Sequence, residues 1–238
     1  MNNEPTYLQS IDSDRMLEDY PLDERFIERY STTSRDELRR QQNLAFMRCV
    51  KRAWEIPFYQ RLWGEKGITP DAIRSLDDIA KLPTYSKSDL MKSVAAAPPL
   101  GDYHGWDTCP GSMIFHTTSG TTGRPQPLFF SAKSREIQSL LLARIYRMQG
   151  MRARDVVHSV YGHGMINGGH YVREAVTHYT QALFCSAGTG VETRSAQQVE
   201  LMRDFGANVI VGFADYIKKL ATWHAPKGSC LARIFRCG

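Results

Sequence analysis

One short segment constrains the fold of this chain more than any other. It is Thr117–Pro125, which reads TTSGTTGRP, and apolar runs lie on both sides at Met113–Phe115 and Leu128–Phe130. This arrangement predicts a strand, a loop and a second strand. Glycines permit positive φ and leave no Cβ in the way of a ligand. Backbone N–H groups in such a turn can surround an anion, and hydroxyl groups add rotatable donors. The segment is therefore a candidate phosphate-binding loop, with Arg124 as an adjacent planar cation.

A polar hairpin turn is the alternative interpretation, because Gly, Ser and Thr are common in turns for local reasons. The order of residues also excludes the P-loop, since no Gly-Lys-Ser/Thr follows at the required spacing. It resembles instead the phosphate loop of adenylate-forming enzymes, roughly Ser/Thr-Ser-Gly-Thr-Thr-Gly-x-Pro-Lys. Thr118 to Pro125 match this pattern position by position, and Gln126 replaces the closing lysine. Phenylacetate–CoA ligases and their relatives also tend to lack that lysine. The phosphate-binding residues that the resemblance implies are Thr118, Ser119, Gly120, Thr121, Thr122, Gly123 and Arg124.

A second glycine-rich segment, Tyr161–His170, reads YGHGMINGGH. It follows an apolar run that ends at Val160 and precedes a helical pattern, so it is predicted to lie at the carboxyl end of a strand, where open α/β sheets bind ligands. A plain connecting loop is the alternative. The unperturbed pKa of a histidine lies near neutrality, which would suit His163 to act as a general base. No orienting carboxylate is apparent in the sequence, however, and we do not assign it that role.

This second segment resembles the Tyr-Gly-x-Gly-x-x-x-Gly-Gly stretch of phenylacetate–CoA ligases, which lines their acyl or aryl pocket. The resemblance implies substrate-binding roles for Tyr161, Gly162, His163 and Gly164. His163 stands where the family often has an aromatic residue, which leaves the identity of the acid open. Further similarity extends the resemblance over about residues 30 to 222.

Composition narrows the function classes. The chain has 238 residues, of which 42% are hydrophobic and 23% charged, as in an ordinary soluble globular protein. The net charge of +5 is spread among acids without a basic block, which argues against nucleic-acid binding. No apolar run is long enough to span a membrane, and the N-terminus lacks a secretory signal, so we expect a cytoplasmic protein. The five cysteines have no zinc-site spacing, and we expect free thiols and no metal site.

Helical signals dominate the first half of the chain. Residues 1–34 are predicted to be an irregular polar lead-in, followed by a helix from a Ser34 cap to about Glu55. Its expected apolar face is Leu38, Gln42, Ala45, Cys49, Val50, Ala53 and Trp54. The aromatic cluster at 58–63 is interpreted as a core anchor. Ser75 with Asp78, and Ser86 with Asp89, predict caps of two further helices.

The second half predicts alternation of strands and helices. A long helix at 133–149 carries an expected apolar face of Ile137, Leu140, Leu141, Ile145 and Met148. Short β-rich runs at 155–160, 182–186 and 208–211 then alternate with helical segments. Such alternation argues for a parallel or mixed sheet with helices on its faces.

The predicted fold class is α/β, the N-terminal large domain of an adenylate-forming enzyme, with a mixed sheet and flanking helices. Three regions are expected: a helical N-terminal region at 1–112, an α/β core with the phosphate loop at 113–222, and an aberrant tail at 223–238. The later family motifs are not found in this sequence, so we expect a truncated ligase. Natural truncation, a reading-frame change and a split protein all remain open.

The resemblance implies a ligase that uses ATP to activate an aryl or acyl carboxylic acid as an acyl-adenylate and transfers it to coenzyme A. Mg²⁺ would accompany ATP, with its ligands outside this chain, and the catalytic residues are unknown. One alternative is an enzyme that loads a carrier protein or another protein thiol. Another is a non-catalytic remnant, or a binding subunit that pairs with a separately encoded C-terminal half or with a second copy.

Overall fold

The structure, a computed structural model, describes residues 4–109, 111–120 and 123–222. It contains two compact units, each considered by itself. Among the described residues, the first is drawn from the ranges 4–12 and 24–132, and the second from 13–23 and 133–222. Thr121, Thr122 and the tail predicted for 223–238 lie outside the described residues. The three-region division expected from the sequence stays a prediction.

Nine α-helices and five strands occur in the described part of the chain. The helices are α1 (Ser13–Asp19), α2 (Asp23–Thr32), α3 (Arg35–Trp54), α4 (Pro57–Gly64), α5 (Lys87–Ala96), α6 (Ala132–Met148), α7 (Gly168–Tyr179), α8 (Ser195–Asp204) and α9 (Ala214–Thr222). The strands are β1 (Met113–Thr117), β2 (Pro127–Ser131), β3 (Val156–Ser159), β4 (Leu183–Ser186) and β5 (Val209–Val211).

The predicted lead-in is wrong in one respect, because α1 and α2 are helical. Helix α1 buries only Met16, and α2 buries no residue. These helices therefore lack the buried apolar stripe by which a surface helix is recognised from sequence. Local contacts accompany α2 instead: the Phe26 and Tyr30 rings lie 4.9 Å apart, and Thr32 Oγ1 donates to the Glu28 carbonyl at 2.9 Å.

The core of the first unit forms where α3, α4 and a 3-10 helix at Pro70–Ala72 meet. Val50, Trp63 and Ile73 are buried there. Phe58 is also buried, so the expected aromatic core anchor is confirmed. The predicted apolar face of α3 is wrong at Gln42, Ala45 and Cys49, which are exposed. Phe46 and Met47 pack on the core instead.

Two of the three predicted caps form as expected. Ser34 Oγ accepts from the Glu37 N–H at 3.1 Å, and a capping box joins Ser86 and Asp89 at the start of α5. The third differs: Ser75 accepts from the Asp77 N–H at 3.2 Å. A 3-10 helix, Leu76–Lys81, replaces the α-helix expected there. Capping signals thus locate a helix start more reliably than the type of helix that follows.

A three-stranded parallel sheet organises the second unit, with the strand order β4-β3-β5. Val157 of the central strand pairs with Phe184 on one side and Val209 on the other. Helix α7 packs on one face through Val172 and Val176. Helices α8 and α9 pack on the opposite face through Val199, Met202 and Leu220. The predicted sheet with helices on both faces is therefore confirmed.

Helix α6 buries a different face from the one predicted. Leu141, Ile145 and Met148 are exposed, Met148 to 65%. The buried positions include Arg135, Glu136 and Ser139 beside Leu140. The prediction failed because hydrophobicity was taken to mark the buried face, whereas these polar groups find partners on α7.

Among the described residues, no helix combines the length and apolar character needed to cross a membrane.

Candidate functional site

Strands β1 and β2 form an antiparallel hairpin, as predicted, and the described residues of the Thr117–Pro125 segment lie where the two strands join. The register pairs Met113 with Ser131 and Thr117 with Pro127. Aromatic side chains support the hairpin, because Phe129 of β2 packs on His104 with ring centroids 4.1 Å apart. Tyr103 also donates its hydroxyl to the Pro127 carbonyl at 2.7 Å. Contacts with Tyr103 and His104 therefore support the two strands on which the loop is carried, within the first unit.

Two hydrogen bonds close the neck of this loop. The Thr118 N–H donates to the Gln126 carbonyl at 3.1 Å, and the Gln126 N–H donates to Thr118 Oγ1 at 3.1 Å. Position 126 thus acts in the neck through its backbone, a role that any residue except proline can fill. The glutamine that replaces the closing lysine of the motif therefore fits this neck, because its side chain takes no part in either hydrogen bond.

The glycine at position 120 is required by the loop geometry. Its φ is +67°, in the left-handed region. A Cβ there would lie 2.9 Å from both the Gly123 carbonyl oxygen and Pro125 Cγ. The Gly123 N–H donates to the Gly120 carbonyl at 3.0 Å, which tightens the turn. Ser119, Gly123 and Arg124 are exposed beyond it, where an anion could reach them.

The Tyr161–Gly169 segment lies between β3 and α7 in the second unit. Several contacts hold it in place. His170 Nε2 lies 2.8 Å from the Gly164 carbonyl oxygen. The Gly162 carbonyl lies directly against Gly169, where any side chain would collide with it. The loop therefore folds back on the first turn of its own helix, which is why the second of its paired glycines is needed.

Buried charged groups anchor the far end of this loop. Arg135 of α6 is fully buried, with 0% exposure. It donates to Asn167 Oδ1 and forms an ion pair with Glu174 of α7. Its Nη2 lies 3.1 Å from Glu174 Oε1, and Gln138 Oε1 accepts from Asn167 Nδ2 at 3.3 Å. Arg135 thus joins the loop to both helices.

Sequence reasoning did not identify Arg135, Gln138 or Glu174. They belong to no motif, and their pairing joins positions far apart in the chain. A charged residue in a helix is most often on the surface, so local sequence carried no signal for this network.

His163 lies within a small polar group. Its Nδ1 is 3.1 Å from Ser186 Oγ, at the end of β4, and its ring centroid is 5.3 Å from that of His170. Burial lowers the pKa of His163, and the nearby charges of His170 and Arg173 lower it further. The imidazole is therefore neutral near pH 7, so it serves as a hydrogen-bonding group and brings no positive charge to a carboxylate.

Gln198 fastens the adjoining loop after β4. This side chain is fully buried, and its Nε2 donates to the carbonyls of Gly188 at 3.0 Å and Thr193 at 2.8 Å. Its Oε1 lies 3.2 Å from Nε2 of His158 on β3, whose pKa is lowered by burial. The loop it holds packs on Gly162, because a Cβ there would lie 3.2 Å from Thr189 Cγ2.

The phosphate loop belongs to the first unit and the Tyr161 loop to the second. Within its unit, each forms a connected structure from the residues predicted for it, apart from Thr121 and Thr122. Across the described ranges, no group of three or more His, Cys, Asp or Glu residues is arranged to hold a metal ion.

Curated relatives match most of the chain. It is 31% identical to the phenylacetate-coenzyme A ligase of Aromatoleum evansii over 195 residues, which are 80% of this chain and 41% of that protein. It is 29% identical to the Pseudomonas putida enzyme of the same name over 206 residues, or 85% of this chain and 44% of that protein. The chain thus spans about two fifths of the length of these relatives. No family model matches it.

Solved structures of acyl-CoA ligases are also similar to this chain. One is 2-hydroxyisobutyryl-CoA ligase in complex with 2-HIB-AMP and CoA in the thioesterification state. It superposes with a TM-score of 0.70 at 29% identity, over 80% of this chain and 40% of that one. An open conformation of that ligase gives 0.64 at 28% identity, over 74% and 38%. By sequence and by fold, the chain is a homologue of phenylacetate–CoA ligases and of 2-hydroxyisobutyryl-CoA ligase, and it fits the N-terminal portion of such proteins.

Proposed function

We propose that this chain provides the ATP- and acid-binding part of a ligase that activates a carboxylic acid as an acyl-adenylate and passes it to coenzyme A. The observation that carries the proposal is the Thr118–Pro125 loop. Its neck is closed by the Thr118–Gln126 hydrogen bonds, and Ser119 and Arg124 are exposed beyond it. The identity of 28% to 31% with phenylacetate–CoA ligases supports it.

In the proposed reaction, a carboxylate oxygen attacks the α-phosphorus of ATP and pyrophosphate leaves. The loop binds the β- and γ-phosphates through backbone N–H groups and hydroxyls, which stabilise the charge that develops on the leaving group. The proposed ligands are Thr118, Ser119, Gly120, Thr121, Thr122 and Gly123, with Arg124 beside them. Thr121 and Thr122 are assigned from the motif alone, because they lie outside the described residues.

The acid is proposed to bind at Tyr161, Gly162, His163 and Gly164. The supporting observations are the fastening of this loop by His170 and Arg135 and its position after a central parallel strand. A rigid loop loses little conformational entropy when it binds a ligand. The neutral imidazole of His163 is proposed to donate or accept a hydrogen bond, and we assign it no role as a base.

Mg²⁺ enters the proposal only as the companion of ATP. The described residues do not provide a fitting ligand group for it, and we assign it no step. Coenzyme A is the proposed thiol, and 2-hydroxyisobutyryl-CoA ligase binds both an acyl-AMP and CoA. Loading of a carrier-protein thiol remains the alternative.

A nucleotide titration tests the phosphate assignment directly. Because a ligand that binds only the native state raises its stability, ATP at 100 times its Kd adds about 2.7 kcal/mol. We expect ATP to raise the melting temperature of the chain and AMP, which lacks the β- and γ-phosphates, to raise it much less. An unchanged melting temperature at millimolar ATP would sink the proposal.

Chemistry is tested separately by pyrophosphate release with a panel of aryl and alkyl acids. Mass spectrometry of the products with coenzyme A or a phosphopantetheine carrier then identifies the thiol. Nucleotide binding without pyrophosphate release for any acid would favour a binding subunit over a catalyst.

A further inference from the structure

The sheet of the second unit contains a point where its connections diverge. β3 and β5 are neighbours, yet the loop after β3 leads to α7 on one face, and the loop after β5 leads to α9 on the other. In open parallel sheets, such a switch point leaves a crevice at the carboxyl ends of the two strands, and ligands bind there.

Two aromatic residues meet at this switch point. Tyr161 follows β3 and Phe213 follows β5, and their ring centroids lie 4.9 Å apart with an interplanar angle of 69°. Between β5 and Phe213, Gly212 lies so close to Val160 that any side chain would collide with it. The glycine lets the ends of the two strands approach, so the rings form an edge-to-face pair.

The exposure of Phe213 distinguishes it from an ordinary core residue. It remains 64% exposed while it packs on Tyr161. We propose that Phe213 is a specificity-determining residue that forms, with Tyr161, the surface on which the apolar group of the carboxylic acid packs. This inference rests on the proposed function and adds to it a residue outside the Tyr161–Gly169 loop.

The position also indicates the chemistry of the preferred acid. An aryl group can stack on the aromatic pair at ordinary ring distances, and a long alkyl group can lie across it, whereas acetate is too small to cover it. On the other side of β3, Ser186 at the end of β4 meets His163. The aromatic pair therefore lies on the β5 side of the central strand, and the polar pair lies on the β4 side.

Phe205 provides a matched control. It is 62% exposed and belongs to the same unit, but it precedes β5, whereas Phe213 follows it. Both side chains are large, apolar and open to solvent, and they lie at opposite ends of one strand. Substitution with alanine therefore removes a similar exposed apolar area at either position, but only Phe213 lies at the switch point.

The test measures the affinity of the full chain for phenylacetate, hexanoate, acetate and AMP by saturation-transfer difference NMR. Wild type, Phe213→Ala, Phe213→Leu and Phe205→Ala are compared, and circular dichroism verifies folding. We expect Phe213→Ala to weaken phenylacetate and hexanoate binding about tenfold. Phe213→Leu should recover part of the loss for hexanoate, and Phe205→Ala should stay within about twofold of wild type.

The outcomes separate this inference from the proposed function. If wild type binds phenylacetate and Phe213→Ala binds it equally well, the role of Phe213 is refuted while the proposed function stands. If Phe213→Ala weakens AMP but not the acids, the surface binds adenine and the inference is wrong. If wild type binds none of the acids, both the acid site and the inference fail. Should Phe213→Ala unfold, Phe213→Leu decides between these outcomes.

Discussion

The two glycine-rich loops of this protein are held in different ways. The phosphate loop is held by its own residues: Thr118 and Gln126 close its neck, and Gly120 turns it with a positive φ. The Tyr161 loop is held by distant side chains, above all by Arg135 of α6. The conformation of the phosphate loop is therefore determined within one short segment, whereas the conformation of the Tyr161 loop depends on contacts with the rest of its unit.

This difference leads to separate expectations for mutants. Changes in the phosphate loop should affect ligand binding while leaving the unit folded. Changes to the anchors of the Tyr161 loop should also lower the stability of the second unit, because the same side chains join α6 to α7. The four substitutions below test that contrast, from the largest expected effect to the smallest.

Arg135→Met should have the largest effect. It leaves the Glu174 carboxylate buried without its cation, and removing one partner of a buried ion pair costs about 3–5 kcal/mol. Urea unfolding should show a lower free energy of unfolding by that amount. The double variant Arg135→Met with Glu174→Met should recover part of it, because no unpaired charge then remains. A loss below about 1 kcal/mol would mean that the Tyr161 loop does not depend on this anchor.

Gly169→Ala should lower the free energy of unfolding by about 1–3 kcal/mol, because the added methyl group collides with the Gly162 carbonyl and forces a shift of backbone. Gly164→Ala is the control in the same loop, since a Cβ there meets nothing within 4 Å. Chemical unfolding of both variants provides the comparison. Equal stabilities would show that the loop folds back less tightly than its geometry indicates.

Gly120→Ala should cost about 1 kcal/mol of stability, because alanine resists the left-handed conformation. It should nevertheless abolish most of the increase in melting temperature that ATP produces. Gly64→Ala, at the end of α4, is a control in the same unit, with open space for the new methyl group. A full response of Gly120→Ala to ATP would show that the loop tolerates distortion and would weaken the contrast.

His178→Gln should have the smallest effect, and one that depends on pH. The hydrogen bond with Glu136, at 3.0 Å, raises the pKa of His178. The folded state therefore favours the imidazolium, and this contribution is present below about pH 6.5 and is lost as pH rises through the raised pKa. Because His178 is partly exposed, the gain should be below about 1 kcal/mol.

Urea midpoints between pH 5 and pH 8 measure this effect. Wild type should lose stability relative to His178→Gln as pH rises. His163 shifts in the opposite direction, because burial lowers its pKa, so its contribution is lost as pH falls. His163→Gln should therefore gain on wild type at acidic pH. The same slope in both variants would contradict the assignment of the two imidazoles.

Much of the fold could be predicted from local signals. The hairpin of β1 and β2 follows from apolar runs around a glycine-rich turn, and α3 begins at the Ser34 cap, as expected. The strands of the parallel sheet also match the predicted runs closely. These elements are determined by neighbouring residues, which is why the pattern along the chain was sufficient.

The rest depends on pairings between distant residues. Helix α6 directs Arg135 and Ser139 inwards because Glu174 lies opposite them, and nothing near α6 in the sequence indicates that partner. The backbone role of Gln126 in the phosphate loop was not predicted either, because its bonds with Thr118 depend on how the loop closes. The side-chain contacts of His170 and Arg135 that hold the Tyr161 loop were not predicted from the sequence.

The central position of β3 also has a kinetic consequence. Val157 must find partners on two strands that follow it, β4 beyond one helix and β5 beyond two. Closing such long loops costs chain entropy before any contact compensates it, so the sheet should form late in folding. Once it has formed, β3 is bonded along both edges, and its amide hydrogens should exchange with solvent more slowly than those of β4 or β5.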